Sequence, residues 1–124
     1  MKAWRYALAM GALAIGLAAP AHAKVLYTAP SSDDFFGEKL YCNVVNTGSS
    51  TVNVIIEARY GDGTVQGMGT VSLDPGHYTV LTAGNNWTAM YCRFVIQGSS
   101  RGIRAEGVYV DPQTGNRTVS VPAR

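Results

Sequence analysis

Two stretches, KLYCNVVN at 39–46 and TAMYCRFVIQ at 88–97, alternate apolar with polar side chains, and each carries a cysteine in its middle. No other cysteine occurs in the chain. Alternation with a period of two is the signature of a strand with one buried face. Leu40, Cys42 and Val44 share one parity, and Met90, Cys92, Phe94 and Ile96 share another. Both cysteines therefore fall on the apolar side of their strands, where a fold puts its core. A bond between them closes a loop of 49 intervening residues. In the chain-entropy picture such a closure contributes on the order of 4 kcal/mol.

That bond needs an oxidising compartment, and the N-terminus supplies the route. Lys2 and Arg5 precede an apolar run from Tyr6 to Ala19, followed by Pro20 and Ala21-His22-Ala23. The run is shorter than the ~20 residues a spanning helix needs. Charge, apolar run and small-residue site together predict a secretory signal peptide over 1–23, cleaved after Ala23. The domain expected to remain is 24–124, enough for one small unit and too little for two. Export to a periplasm or to the outside makes an intramolecular Cys42–Cys92 disulfide the expected state. Lys2 and Arg5 leave with the leader, so eight basic residues face eight acidic ones. A chain of zero formal charge is a poor partner for nucleic acid. No second long apolar run follows, so no membrane insertion is expected after leader removal.

Beyond the leader, period-two runs and Gly, Pro, Asn and Asp punctuation predict an all-β domain of about seven or eight strands. The runs are 24–29, 39–46, 51–60, 64–73, 78–83, 88–97, 101–110 and 117–124. In the third, Val52, Val54, Ile56 and Ala58 face one side. Gly67 and Gly69 mark the fourth as an edge or bulged strand. Asp74-Pro75-Gly76-His77 has the order of a tight turn. In the seventh, Ile103 and Ala105 have one parity and Val108 and Val110 the other, which predicts a bulge near Glu106-Gly107. Arg104 and Glu106 are expected beside the outward residues of the sixth strand, Tyr91, Arg93, Val95 and Gln97. Cysteines on the second and sixth strands match the bridge between the two layers of an immunoglobulin-like antiparallel β-sandwich. No tryptophan marks the third strand, and Met90 stands where that family carries a tyrosine, so the reading is of architecture.

The order of VLYTAP, YCNVVNTGSSTVNVIIE, LDPG and YCRFVIQGSSRGIRAEGVYVD, ending in VPAR, resembles that of small exported bacterial β-sandwich proteins of unassigned function. The resemblance spans most of the segment after the leader. It implies a periplasmic or extracellular protein with one disulfide, and it transfers no catalytic residue.

Chemistry is sparse in the sequence. His77 is the one histidine beyond the leader; it lies in a turn near Asp74 and Ser72, with no nucleophile elbow around it. A zinc site lacks ligands by count, and no cofactor motif occurs, so the expectation is a non-enzyme without cofactor. If the strands alternate in direction, four connections meet at one end. They carry Asp33, Asp34, Phe35 and Phe36; Asp62; Asn85, Asn86 and Trp87; and Asp111 and Asn116. Such a rim could serve carbohydrate, by stacking and amide hydrogen bonds, or Ca²⁺, by hard oxygen ligands. Asp and Asn also populate turns for backbone reasons alone. The expected role is binding a protein or glycan partner at the envelope or surface, with the rim module as the alternative.

Overall fold

The computed structural model describes residues 23–30, 39–84, 89–110 and 117–124, with side chains of 117–120 left aside. Eight strands follow one another: β1 Lys24–Tyr27, β2 Lys39–Asn46, β3 Val52–Tyr60, β4 Val65–Leu73, β5 Tyr78–Ala83, β6 Met90–Gln97, β7 Ile103–Val110 and β8 Arg117–Pro122. They form two four-stranded sheets, ordered β1-β6-β3-β4 and β5-β2-β7-β8. Every ladder is antiparallel. Among the described residues no helix is long and apolar enough to cross a membrane.

The core lies between the two inner faces, as the alternation requires. Leu26, Phe94 and Ile56 stand side by side across the first sheet, and Ile96 and Val54 fill the next row. Leu40 with Tyr109 and Val44 with Ala105 answer from the second sheet. Cys42 on β2 and Cys92 on β6 are bonded across the gap with Cα atoms 5.7 Å apart, both fully buried. Small neighbours make room for that bond. Ala58 sits beside Cys92, and Gly107 sits beside Cys42.

Gly107 corrects the expected bulge. The β2–β7 ladder runs without a shift from Lys39↔Val110 to Asn46↔Ile103. Ile103, Ala105, Gly107 and Tyr109 are therefore the inward set, and Val108 is buried on the outer side, opposite Tyr41. A Cβ at 107 would stand 3.2 Å from Thr28 Oγ1 and 3.3 Å from Cys92 Sγ. The glycine is there for close approach of the two sheets. The irregularity of β7 lies further on, between Tyr109 and Val110 in its ladder to β8. β4 is an edge strand with a register shift opposite Ala58/Arg59, in keeping with its glycines.

Strand order supplies a second correction. In the immunoglobulin arrangement the second strand pairs with the fifth, the third with the sixth, and the disulfide joins the second to the sixth. All three features occur here. The seventh strand, however, joins the second rather than the sixth, and the fourth joins the third. Arg104 and Glu106 thus lie on the second sheet, away from Tyr91 and Arg93. One side of the sandwich is closed by reciprocal backbone bonds, Tyr27 N–H to Arg124 O and Arg124 N–H to Tyr27 O, each 2.9 Å.

Candidate functional site

The antiparallel register sets two rows across the outer face of the second sheet. One row is Tyr78, Val45 and Arg104; the next is Val80, Asn43, Glu106 and Pro122. Tyr78 and Val80 are 74 % and 43 % exposed, a strand pair of large apolar side chains left outside the core. These rows line a groove of about 930 Å³. At its corner the groove meets Lys24, Arg101 and Arg124. Arg124 is placed there by its backbone pairing with Tyr27, and Arg101 by the turn before β7. Arg104 Nη1 donates to the Arg101 carbonyl at 3.3 Å and to the Ile103 carbonyl at 3.1 Å, which steadies its guanidinium at the groove wall.

The lining therefore gathers four cationic side chains, Lys24, Arg101, Arg104 and Arg124, and one carboxylate, Glu106, beside the apolar Val45, Tyr78 and Val80. Asn43 Nδ2 reaches Glu106 Oε1 at 3.4 Å. Residues 24–124 hold eight basic and eight acidic side chains, yet four of the cations gather in one concavity. Guanidinium groups present paired N–H donors suited to carboxylate, sulfate or phosphate. Compared with protein-family models, with curated proteins and with solved structures, the chain matches none. The functional reading therefore rests on the groove and on the chemistry of its lining.

The outer face of the first sheet holds a different cluster. Glu57, only 7 % exposed, accepts from Arg59 Nε at 2.7 Å and from Arg93 Nη1 at 3.0 Å. Burial pushes the Glu57 carboxyl up, but hydrogen bonds and charge from both arginines outweigh it and hold the group below its ordinary range. Arg93 also lies 6.0 Å from the centre of the Tyr27 ring, and Tyr27 lies 6.3 Å from Tyr91. The network is internally satisfied, so its charges serve the sheet before any ligand.

Of the rim residues expected from sequence, Asp33, Asp34, Phe35, Phe36, Asn85, Asn86, Trp87, Asp111 and Asn116 lie outside the described residues. Asp62 is described and exposed. Its Oδ1 accepts from the Thr64 N–H at 2.9 Å and from the Thr64 hydroxyl at 2.6 Å. Those bonds, the hydroxyl first, hold the Asp62 carboxyl below its usual value. The flanks of the four connections do meet at one end. Tyr109 Oη donates toward the carbonyls of Ala29 at 2.9 Å and Met90 at 2.8 Å, and Gly61 N–H donates to Ala89 O at 2.9 Å. Among the described residues no group of three His, Cys, Asp or Glu side chains is placed to hold a metal ion. His77 serves through its backbone, donating to Asp74 O and accepting from Asn46 N–H, each at 3.0 Å. The Asp74 carboxylate accepts from the Thr51 hydroxyl at 2.8 Å.

Sequence reasoning missed the groove. Its cations come from positions 24, 101, 104 and 124, and only strand order brings them together. The parity of Arg104, Val45 and Tyr78 was readable; that β7 lies beside β2 was not.

Proposed function

We propose that this chain is an exported, non-enzymatic β-sandwich that acts by binding in the periplasm or outside the cell. Its ligand surface is the groove on the second sheet, and its partner is acidic, a protein segment or a glycan. One observation carries this reading: four cationic side chains and one carboxylate line a groove together with the apolar Val45, Tyr78 and Val80. The apolar side chains give contact area and the guanidinium groups give orientation and charge selection. Isothermal titration with polyglutamate, an acidic oligosaccharide and a neutral oligosaccharide tests it. The reading expects salt-sensitive binding of at least one acidic probe and none of the neutral one. Arg101→Ala with Arg104→Ala should weaken that binding about tenfold or more. Binding that ignores both substitutions, or no binding to either acidic probe, rejects the groove.

A second reading places a carbohydrate- or Ca²⁺-binding module at the rim. It is supported by the Tyr109 hydroxyl, which ties the flanks of two rim connections together. A melting temperature that rises with Ca²⁺, or selective hits on a neutral glycan array, would favour the rim over the groove.

A further inference from the structure

A sheet edge is a row of unpaired N–H and C=O groups, and native proteins protect such rows with short strands, proline, bulges or covering chain. Three of the four edges here carry such a device. β1 is four residues long and is capped by Arg124. β4 has Gly67, Gly69 and a register shift. β8 ends in Pro122. The fourth edge, β5, reads Tyr-Thr-Val-Leu-Thr-Ala, with no charge, no proline and no shift in its ladder to β2.

The phase of that ladder can be read from its first bond. Asn46 N–H donates to His77 O at 3.0 Å, and Gly76, at φ +79°, donates to Asn46 O at 2.7 Å. This is a glycine bulge next to a turn, and it fixes Asn46 and His77 as a hydrogen-bonded pair. Alternation then makes Val44↔Thr79, Cys42↔Leu81 and Leu40↔Ala83 the bonded pairs. The N–H and C=O groups of Tyr78, Val80 and Thr82 consequently point away from β2, into an edge that has no backbone partner among the described residues.

We infer that β5 is a pairing edge for β5 of a second copy of this chain, antiparallel and centred on Val80. Of the registers that bring open groups to open groups, it is the one that engages all three residues, Tyr78, Val80 and Thr82, of each copy. Val80 faces its own copy, and Tyr78 faces Thr82 of the other chain on both sides. It also keeps the two outer faces on one side of the joined sheet, since directly opposed residues share a face. The row is symmetric about Val80, so two copies satisfy each other's donors and acceptors. No charged side chain on β5 opposes the approach. A single six-residue edge is a small contact, so the dimer should form reversibly with concentration. The inference rests on backbone phase and is independent of the acidic-ligand reading of the groove.

Sedimentation of the exported protein over a wide concentration range tests it. The wild type should shift reversibly from monomer to dimer. Val80→Lys puts like charges together at the symmetry axis and should raise the dissociation constant about tenfold or more, with the melting temperature of the monomer unchanged. A cysteine scan keeps the test independent of that variant's folding. Hydrogen-bonded opposed residues have Cα atoms about 5.5 Å apart, within disulfide reach. Position 78 and its copy would lie roughly 14 Å apart. Val80→Cys should give a reducible dimer linked through residue 80, and Tyr78→Cys should not. A wild type that stays monomeric at all concentrations overturns the inference. So do equal yields of linked dimer from the two variants.

Discussion

Gly107 stands beside Cys42 on the inner face of the second sheet, and its missing side chain is what the opposite sheet occupies. Thr28 Oγ1 there accepts from the Cys92 N–H at 2.9 Å, and Cys92 Sγ is held by its bond, so neither neighbour can yield. Gly107→Ala should therefore destabilise the fold by about 1–3 kcal/mol, the usual cost of overpacking, read as a lower urea midpoint. A residue at the outer face carries the pH dependence. Glu57 has its folded-state pKa below the ordinary value of 4.5. Its contribution is present above that value and is lost as pH falls through the folded-state pKa. Wild type and Glu57→Gln should differ in urea midpoint near neutral pH and converge on acidification. A gap that stays constant down to about pH 3 would show that the ion pairs carry no net stability.

At the scale of elements, Asn46 joins three segments. Its Nδ2 donates to Ser50 O at 2.8 Å and to Leu73 O at 2.9 Å, and its Oδ1 accepts from Gly48 N–H at 2.9 Å. The residue is 1 % exposed, so truncation leaves buried backbone groups without partners. Asn46→Ala should cost about 2–3 kcal/mol in a denaturation curve. The bounds of β2 and β5, and the end of β6, were legible because alternation and turn residues are local signals; β6 starts at Met90 and not at 88. The inward phase of β7 was misread because Gly107 offers no side chain to count, and Val108 and Val110 mimic an inward pair. Pairing order was not legible at all. Nothing local in Arg104 or Glu106 says that β2, and not β6, lies alongside. That the flanks of the four connections meet at one end was legible, since it follows from alternating strand direction alone.

For the whole molecule, the disulfide decides how the two sheets are joined and how much stability a small domain has in reserve. A bond spanning 50 residues contributes about 4 kcal/mol in the chain-entropy picture. Domains of this size are stable by only about 5–15 kcal/mol. Reduction should lower the melting temperature by well over ten degrees, and should weaken ligand binding at the groove as the second sheet loosens from the first. β2 and β6 lie in different sheets, so the bond between their cysteines ties the sheets together, and the groove exists only if β2 sits between β5 and β7. Mass spectrometry of the purified protein, digested without reduction, tests that join most directly. The account predicts one linked peptide pair containing Cys42 and Cys92 and no alkylated thiol. Alkylation of both cysteines before any reductant is added would contradict it.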